Sequence, residues 1–114
     1  MRRVVLAVIL AALAGSAQAE SELQDVGCAQ ERQLRSIDQV TATEVVFFNQ
    51  SPVPIRTYWI DFHGRRIFGA EIRPGDSFFQ QTYVNNPWVV TKTTAKICVG
   101  IFQPIAESSI VVVH

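Results

Sequence analysis

From residue 44 onward the apolar positions fall in short runs, most of them alternating with polar ones. Residues 45–49, Val45-Val46-Phe47-Phe48-Asn49, are nearly continuous apolar, as in a strand buried on both faces. Residues 56–63 alternate, with Tyr58, Ile60 and Phe62 on one face and Trp59, Asp61 and His63 on the other. Further strand-like runs occupy 65–72, 78–83, 88–91, 96–102 and 110–113, and in the sixth run Ile97, Val99 and Ile101 share a face. Turn residues separate them. Pro52 and Pro54 bar a regular central strand, His63-Gly64 closes a hairpin, and Arg73-Pro74-Gly75-Asp76 fits a β-turn. Asn85-Asn86-Pro87, the polar stretch 92–95 and Pro104 mark the remaining breaks. The pattern predicts an all-β protein, a seven-stranded antiparallel β-sandwich over residues 44–114. Phe47, Tyr58, Phe62 and Phe79 are assigned to its core.

The segment before the sandwich reads differently. Residues 20–43 are polar with scattered Leu23, Val26, Leu34 and Ile37, and the spacing over 28–34 allows one or two helical turns after Gly27. This is a lead-in segment. Residues 1–19 carry Arg2-Arg3, an unbroken apolar run from Val4 to Ala14, and Ala17-Gln18-Ala19, a signal peptide of bacterial type cleaved before Glu20. The run is about half of the ~20 residues that a membrane-spanning helix needs. Loss of Arg2 and Arg3 leaves eight basic against ten acidic residues, a formal charge of −2. With no basic cluster, nucleic acid and membrane surfaces are excluded as partners. The remaining length suits one domain with one core. Cys28 and Cys98, an even pair in a chain sent to an oxidising compartment, are expected to form a disulfide. The expected location is exported, periplasmic or extracellular.

No catalytic constellation can be assembled. His63 sits at a hairpin tip and His114 is the last residue; with two distant cysteines they have no metal-ligand spacing. There is no phosphate-binding glycine loop and no nucleophile elbow. Asp61 and Glu71 are placed to pair with Arg65, Arg66 or Arg73 on a solvated face. Asn49-Gln50-Ser51 fits the glycosylation pattern, but Pro52 follows directly. The chain therefore reads as non-catalytic, without metal or cofactor. What stands out is Trp59 and Trp88, far apart and each on a strand, either core fillers or walls of an aromatic pocket.

The order of these landmarks resembles the β-domain of the von Hippel–Lindau tumour suppressor family. Leu34-Arg35-Ser36 matches its lead-in, and Val45-Val46-Phe47 followed by Asn49-Gln50-Ser51-Pro52 its first strand and turn. Trp59, Phe62 and Gly64 match a Trp…Phe-x-Gly pattern, Pro74-Gly75 a turn, and Thr82-Tyr83 and Trp88 a Ser-Tyr and a second Trp. The likeness covers residues 34–104. It implies a sandwich that recognises a 4-hydroxyproline-bearing peptide, the ring against aromatic walls and its hydroxyl held by a Ser and a His. Carried over by position, Trp59 and Trp88 are the aromatic residues, Thr82 stands for the Ser and Asn86 for the His. The family's pocket Tyr falls near Phe68 or Gly69, so a wall is missing that Phe68 or Tyr83 would have to replace. The family's ligase-scaffold domain has no counterpart, so no ubiquitin-ligase scaffold is expected as a partner. Two functions follow: a binding module for an extended peptide or protein segment, or an interaction platform that uses an exposed edge strand without a small-ligand pocket.

Overall fold

A computed structural model describes residues 21–38, 41–93 and 96–114; the expected signal peptide, residues 1–19, lies outside them. The strands are β1 (Ser21–Glu22), β2 (Ala42–Asn49), β3 (Ile55–Ile60), β4 (Arg66–Ile72), β5 (Ser77–Tyr83), β6 (Trp88–Lys92), β7 (Ile97–Phe102) and β8 (Ser109–Val113). They form two four-stranded sheets, ordered β1-β8-β2-β5 and β4-β3-β6-β7. Between the sheets lie Val45, Phe47, Val111 and Val113 from the first and Ile55, Ile72, Trp88 and Val90 from the second. Leu23, from the lead-in, joins the same core.

The expected seven antiparallel strands become eight among the described residues, and the pairing is mixed. The extra strand is β1, two residues of the lead-in. It runs parallel to β8, and β8 runs parallel to β2. No hairpin constrains β8: the chain reaches it from β7 in the other sheet, and only tight hairpins force antiparallel neighbours. The second sheet is antiparallel throughout.

Side-chain placement departs from the sequence reading at several strands. β2 is not buried on both faces; Val45, Phe47 and Asn49 point inward while Val46 and Phe48 are half-exposed. Phe47 is fully buried, but Phe62 and Phe79, expected in the core, are exposed. Phe62 lies past the end of β3, in the loop before β4, and Phe79 faces outward on an end strand. Tyr58 is half-buried beneath the lead-in, on a second cluster built by Ile60, Val89 and Ile101 with Leu34 and Cys98. In β7 a register shift breaks the expected Ile97/Val99/Ile101 face. Gly100 pairs with Val90 and Cys98 with Thr91, so Val99 is the extra residue, and Ile97 and Val99 are exposed.

The lead-in contributes more than polar cover. Its helical stretch is a 3-10 helix, Cys28–Gln33. The expected disulfide joins Cys28 to Cys98. Val26 N–H donates to the Ile101 carbonyl (2.9 Å), and Ile101 N–H donates to Asp25 Oδ1 (3.0 Å). The outer edge of β7 is thereby closed. Ser36 Oγ donates to the Ile60 carbonyl (2.6 Å), carrying the segment across β3.

Asn49 is buried and structural. Its Nδ2 donates to the Val53 and Ile72 carbonyls, both at 2.9 Å, and its Oδ1 accepts from Ser51 N–H and Oγ–H. Both amide hydrogens are used inside the fold, which leaves no site for a glycan.

Candidate functional site

Consecutive strands β4 and β5 lie in different sheets, linked by a turn in which Asp76 N–H donates to the Arg73 carbonyl (3.0 Å) and Gly75 supplies a φ of 85°. Each is the end strand of its sheet. The two edges flank a depression of about 500 Å³. Trp59, Thr82, Asn86 and Trp88, the four residues singled out from the sequence, all line it.

Strand register and one turn bring them together. Trp59 and Trp88 are direct cross-strand neighbours on β3 and β6. Thr82 is on the inward side of β5, opposite Thr43. Asn86 closes a turn in which its N–H donates to the Tyr83 carbonyl (3.2 Å) and Asn85 takes a left-handed φ of 66°, a conformation asparagine tolerates. Asn85 N–H is held by the Pro104 carbonyl and Ile60 N–H by that of Pro87, both at 2.9 Å. The turn is thus tied to both neighbouring segments.

Trp88 belongs at once to the core and to the depression. Its ring lies 6.0 Å from Phe47, centroid to centroid, and it is 94% buried by residue, with 6% exposed. Its Nε1–H donates to Thr82 Oγ1 at 3.0 Å. A hydroxyl that accepts one hydrogen bond retains its own proton for donation. Asn86 is 4% exposed, and its Oδ1 is buried without a hydrogen-bond partner. Trp59 is half-buried and meets Phe62 edge to face, centroids 5.5 Å apart.

Phe62 belongs to a loop that Asp61 shapes. Asp61 Oδ1 accepts from the backbone N–H groups of Arg65 and His63, both at 2.8 Å, and Oδ2 from Arg65 Nε at 3.3 Å. The Arg65 backbone N–H, then that of His63 and the Arg65 guanidinium, hold its carboxyl below the usual carboxylate range. The loop that braces Trp59 is therefore fastened by an ionised Asp61.

Gly69 is, with Phe68, one of the two places near which the family's pocket Tyr was expected to fall. The register shift in β4 opposite Thr57 and Tyr58 leaves it as the extra residue of a bulge. A Cβ there would come within 2.8 Å of both Trp88 Cζ3 and Thr57 Oγ1. Glycine lets the Trp88 ring approach the β4 backbone. Phe68 and Tyr83 line the depression as anticipated, together with Ile67, Phe78, Gln80 and Gln81, which the sequence reading did not single out. Phe78 and Gln80 share the Thr82 side of β5, so alternation alone pointed to them. No Asp, Glu, Lys, Arg or His lines the depression among the described residues.

The described residues hold no group of three or more His, Cys, Asp or Glu suited to a metal ion. None of the helices described is long and apolar enough to cross a membrane. Curated proteins include no match to the chain. The family model of the VHL beta domain matches residues 34–100, more than half of the sequence and the stretch that carries β2 to β6 and the whole depression, and the chain belongs to that family.

Proposed function

We propose that the domain is a non-catalytic receptor for an extended segment of protein, one side chain of which enters the depression between β4 and β5. The side chain that suits it best is a neutral ring bearing a hydroxyl, as in 4-hydroxyproline. One observation carries this reading: Thr82, whose hydroxyl accepts from Trp88 and keeps its own proton to donate, and Asn86, with a buried, unpaired amide oxygen, both line an uncharged aromatic depression. A site whose buried polar groups need a ligand hydroxyl discriminates strongly against the analogue that lacks it. Membership of the VHL beta-domain family supports protein binding as the general role. The signal-like residues 1–19 and the Cys28–Cys98 disulfide support export to the periplasm or the extracellular space.

Calorimetric titration with matched neutral peptides, containing proline or 4-hydroxyproline at the centre, tests the reading. The hydroxylated peptide is expected to bind at least about tenfold tighter, and Thr82→Val to remove most of that preference, since a lost partner for a buried hydroxyl costs about 1–3 kcal/mol. Equal binding of the two peptides, or none at millimolar concentration, overturns it. The edge-strand reading also has a specific observation behind it. β5 has a strand partner on one side only among the described residues, and its other edge borders the depression.

A further inference from the structure

The phase of hydrogen bonding along β5 decides which of its backbone groups face the free edge. Val84 N–H donates to the Thr41 carbonyl (3.0 Å), and Asn49 N–H donates to the Asp76 carbonyl (2.9 Å). The antiparallel register between them is unbroken, pairing Ala42 with Tyr83 through to Phe48 with Ser77. Directly opposed residues alternate between exchanging hydrogen bonds and turning away. Even-numbered residues of β5 therefore bond to β2, and Ser77, Phe79, Gln81 and Tyr83 direct their N–H and C=O groups outward. Two of those outward carbonyls are already engaged. The Tyr83 carbonyl accepts from Asn86 N–H within the turn, and the Gln81 carbonyl accepts from the Gln80 side chain, Nε2 to O 2.8 Å.

These two contacts differ in kind. The turn bond is part of the backbone that carries Asn86. The Gln80 bond comes from a side chain reaching around to the edge of its own strand, and that side chain lines the depression. It occupies the acceptor that a pairing strand would use between Phe79 and Tyr83.

We propose that Gln80 is a self-cap on the β5 edge, displaced when an extended peptide pairs with that edge, so that it sets both the strength of main-chain pairing and the selectivity of the depression beside it. The inference rests on the peptide-binding reading above. In the free protein the cap fills the middle acceptor of an edge that would otherwise invite a second copy of the chain. In the complex a ligand N–H takes over the Gln81 carbonyl, and the freed amide stays at the depression wall. The N–H groups of Phe79, Gln81 and Tyr83 then donate to the ligand's carbonyls. A ligand able to displace the cap must supply an unsubstituted backbone N–H at that register, so proline or an N-methylated residue is disfavoured there although a proline ring fits the depression itself.

The experiment uses the exported chain, its Gln80→Leu and Gln80→Ala variants, and a neutral nine-residue peptide with one central 4-hydroxyproline. A second series of the peptide carries a single N-methyl group at each backbone amide in turn. Thermal melts establish that the variants fold. Loss of a cap worth one ordinary net hydrogen bond is expected to tighten peptide binding about two- to tenfold in both variants. One N-methyl position should abolish main-chain pairing in all three proteins. Wild-type binding with no gain in either folded variant overturns the cap and leaves the peptide reading standing. Wild-type binding that tolerates N-methylation at every position overturns the edge pairing on which the cap depends. Absence of wild-type binding at millimolar peptide overturns the peptide reading, and this inference with it.

Discussion

Asn86 and Gly69 show what single residues do in this fold. Asn86 Oδ1 is buried without a partner. Such a group costs stability until something bonds to it. Asn86→Leu is therefore expected to stabilise the free protein by on the order of 1 kcal/mol, read as a higher urea midpoint, while weakening the hydroxylated peptide. A variant that lost stability and binding together would mark Asn86 as a structural residue of the turn. At Gly69 the constraint is steric. A methyl group within 2.8 Å of Trp88 Cζ3 and Thr57 Oγ1 must displace one of them, and over-packing of this kind costs about 1–3 kcal/mol. Gly69→Ala should lower the unfolding midpoint and change the Trp88 emission, because the ring it moves is anchored to Thr82. Unchanged stability and emission would show that Trp88 has room to shift. The sequence made Trp59, Thr82, Asn86 and Trp88 legible through alternation and family likeness. It could not reveal the contact between Gly69 and Trp88, which depends on a bulge that moves every later residue of β4 by one position.

At the scale of elements, the lead-in is a working part of the sandwich. It adds β1 to one sheet, closes the β7 edge of the other, and lays Leu34 over Ile60, Val89 and Ile101. The disulfide fastens it across a separation of 70 residues. A loop of that size is worth about 4 kcal/mol by chain entropy, so reduction, or Cys28→Ala with Cys98→Ala, should lower the unfolding free energy by roughly 2–4 kcal/mol. Chemical denaturation with and without reductant measures it, and an unchanged midpoint would mean that the hydrogen bonds of Asp25, Val26 and Ser36 suffice. Two carboxylates fasten elements as well. Glu31, on the 3-10 helix, receives two hydrogen bonds from Arg66 of β4, 2.6 and 2.8 Å, which hold its carboxyl below the usual range; Asp61 is depressed by the N–H groups of its own loop. A carboxyl depressed in the folded state contributes stability that is complete above its unfolded pKa of about 4 and is lost as the pH falls through the folded value. Stability should therefore be flat at neutral pH and decline below about pH 4, with a smaller decline in Asp61→Asn. Pairing of the cysteines was legible from an even count together with the expectation of export. The lead-in's strand was not, since two polar residues form no pattern, and β1 exists only because β8 offers it an edge.

For the whole molecule the decisive feature is which sheet edges stay open. The lead-in covers β7, and β1 offers only two residues, so the long uncovered edges among the described residues are those of β4 and β5. They flank the same depression, which joins a main-chain template and a side-chain pocket in one surface. Charge is placed elsewhere: Arg56 pairs with Glu71, Arg66 with Glu31 and Arg73 with Asp76, none of them lining the depression. A ligand seated there, as proposed, would be held by apolar contact and neutral hydrogen bonds. With an amide at Asn86, no group lining the site changes charge between pH 5 and 8, where an imidazole would. Affinity for a neutral hydroxylated peptide is accordingly expected to vary by less than about twofold across that range, and as little between about 0.05 and 0.5 M salt, because exposed ion pairs are what salt screens. Asn86→His supplies the contrast. It should introduce a pH dependence in the same interval without one in the wild type, provided residue 86 touches the ligand. A tenfold change in the wild type over this range would mean that a charged group makes the contact and that the peptide lies outside the depression.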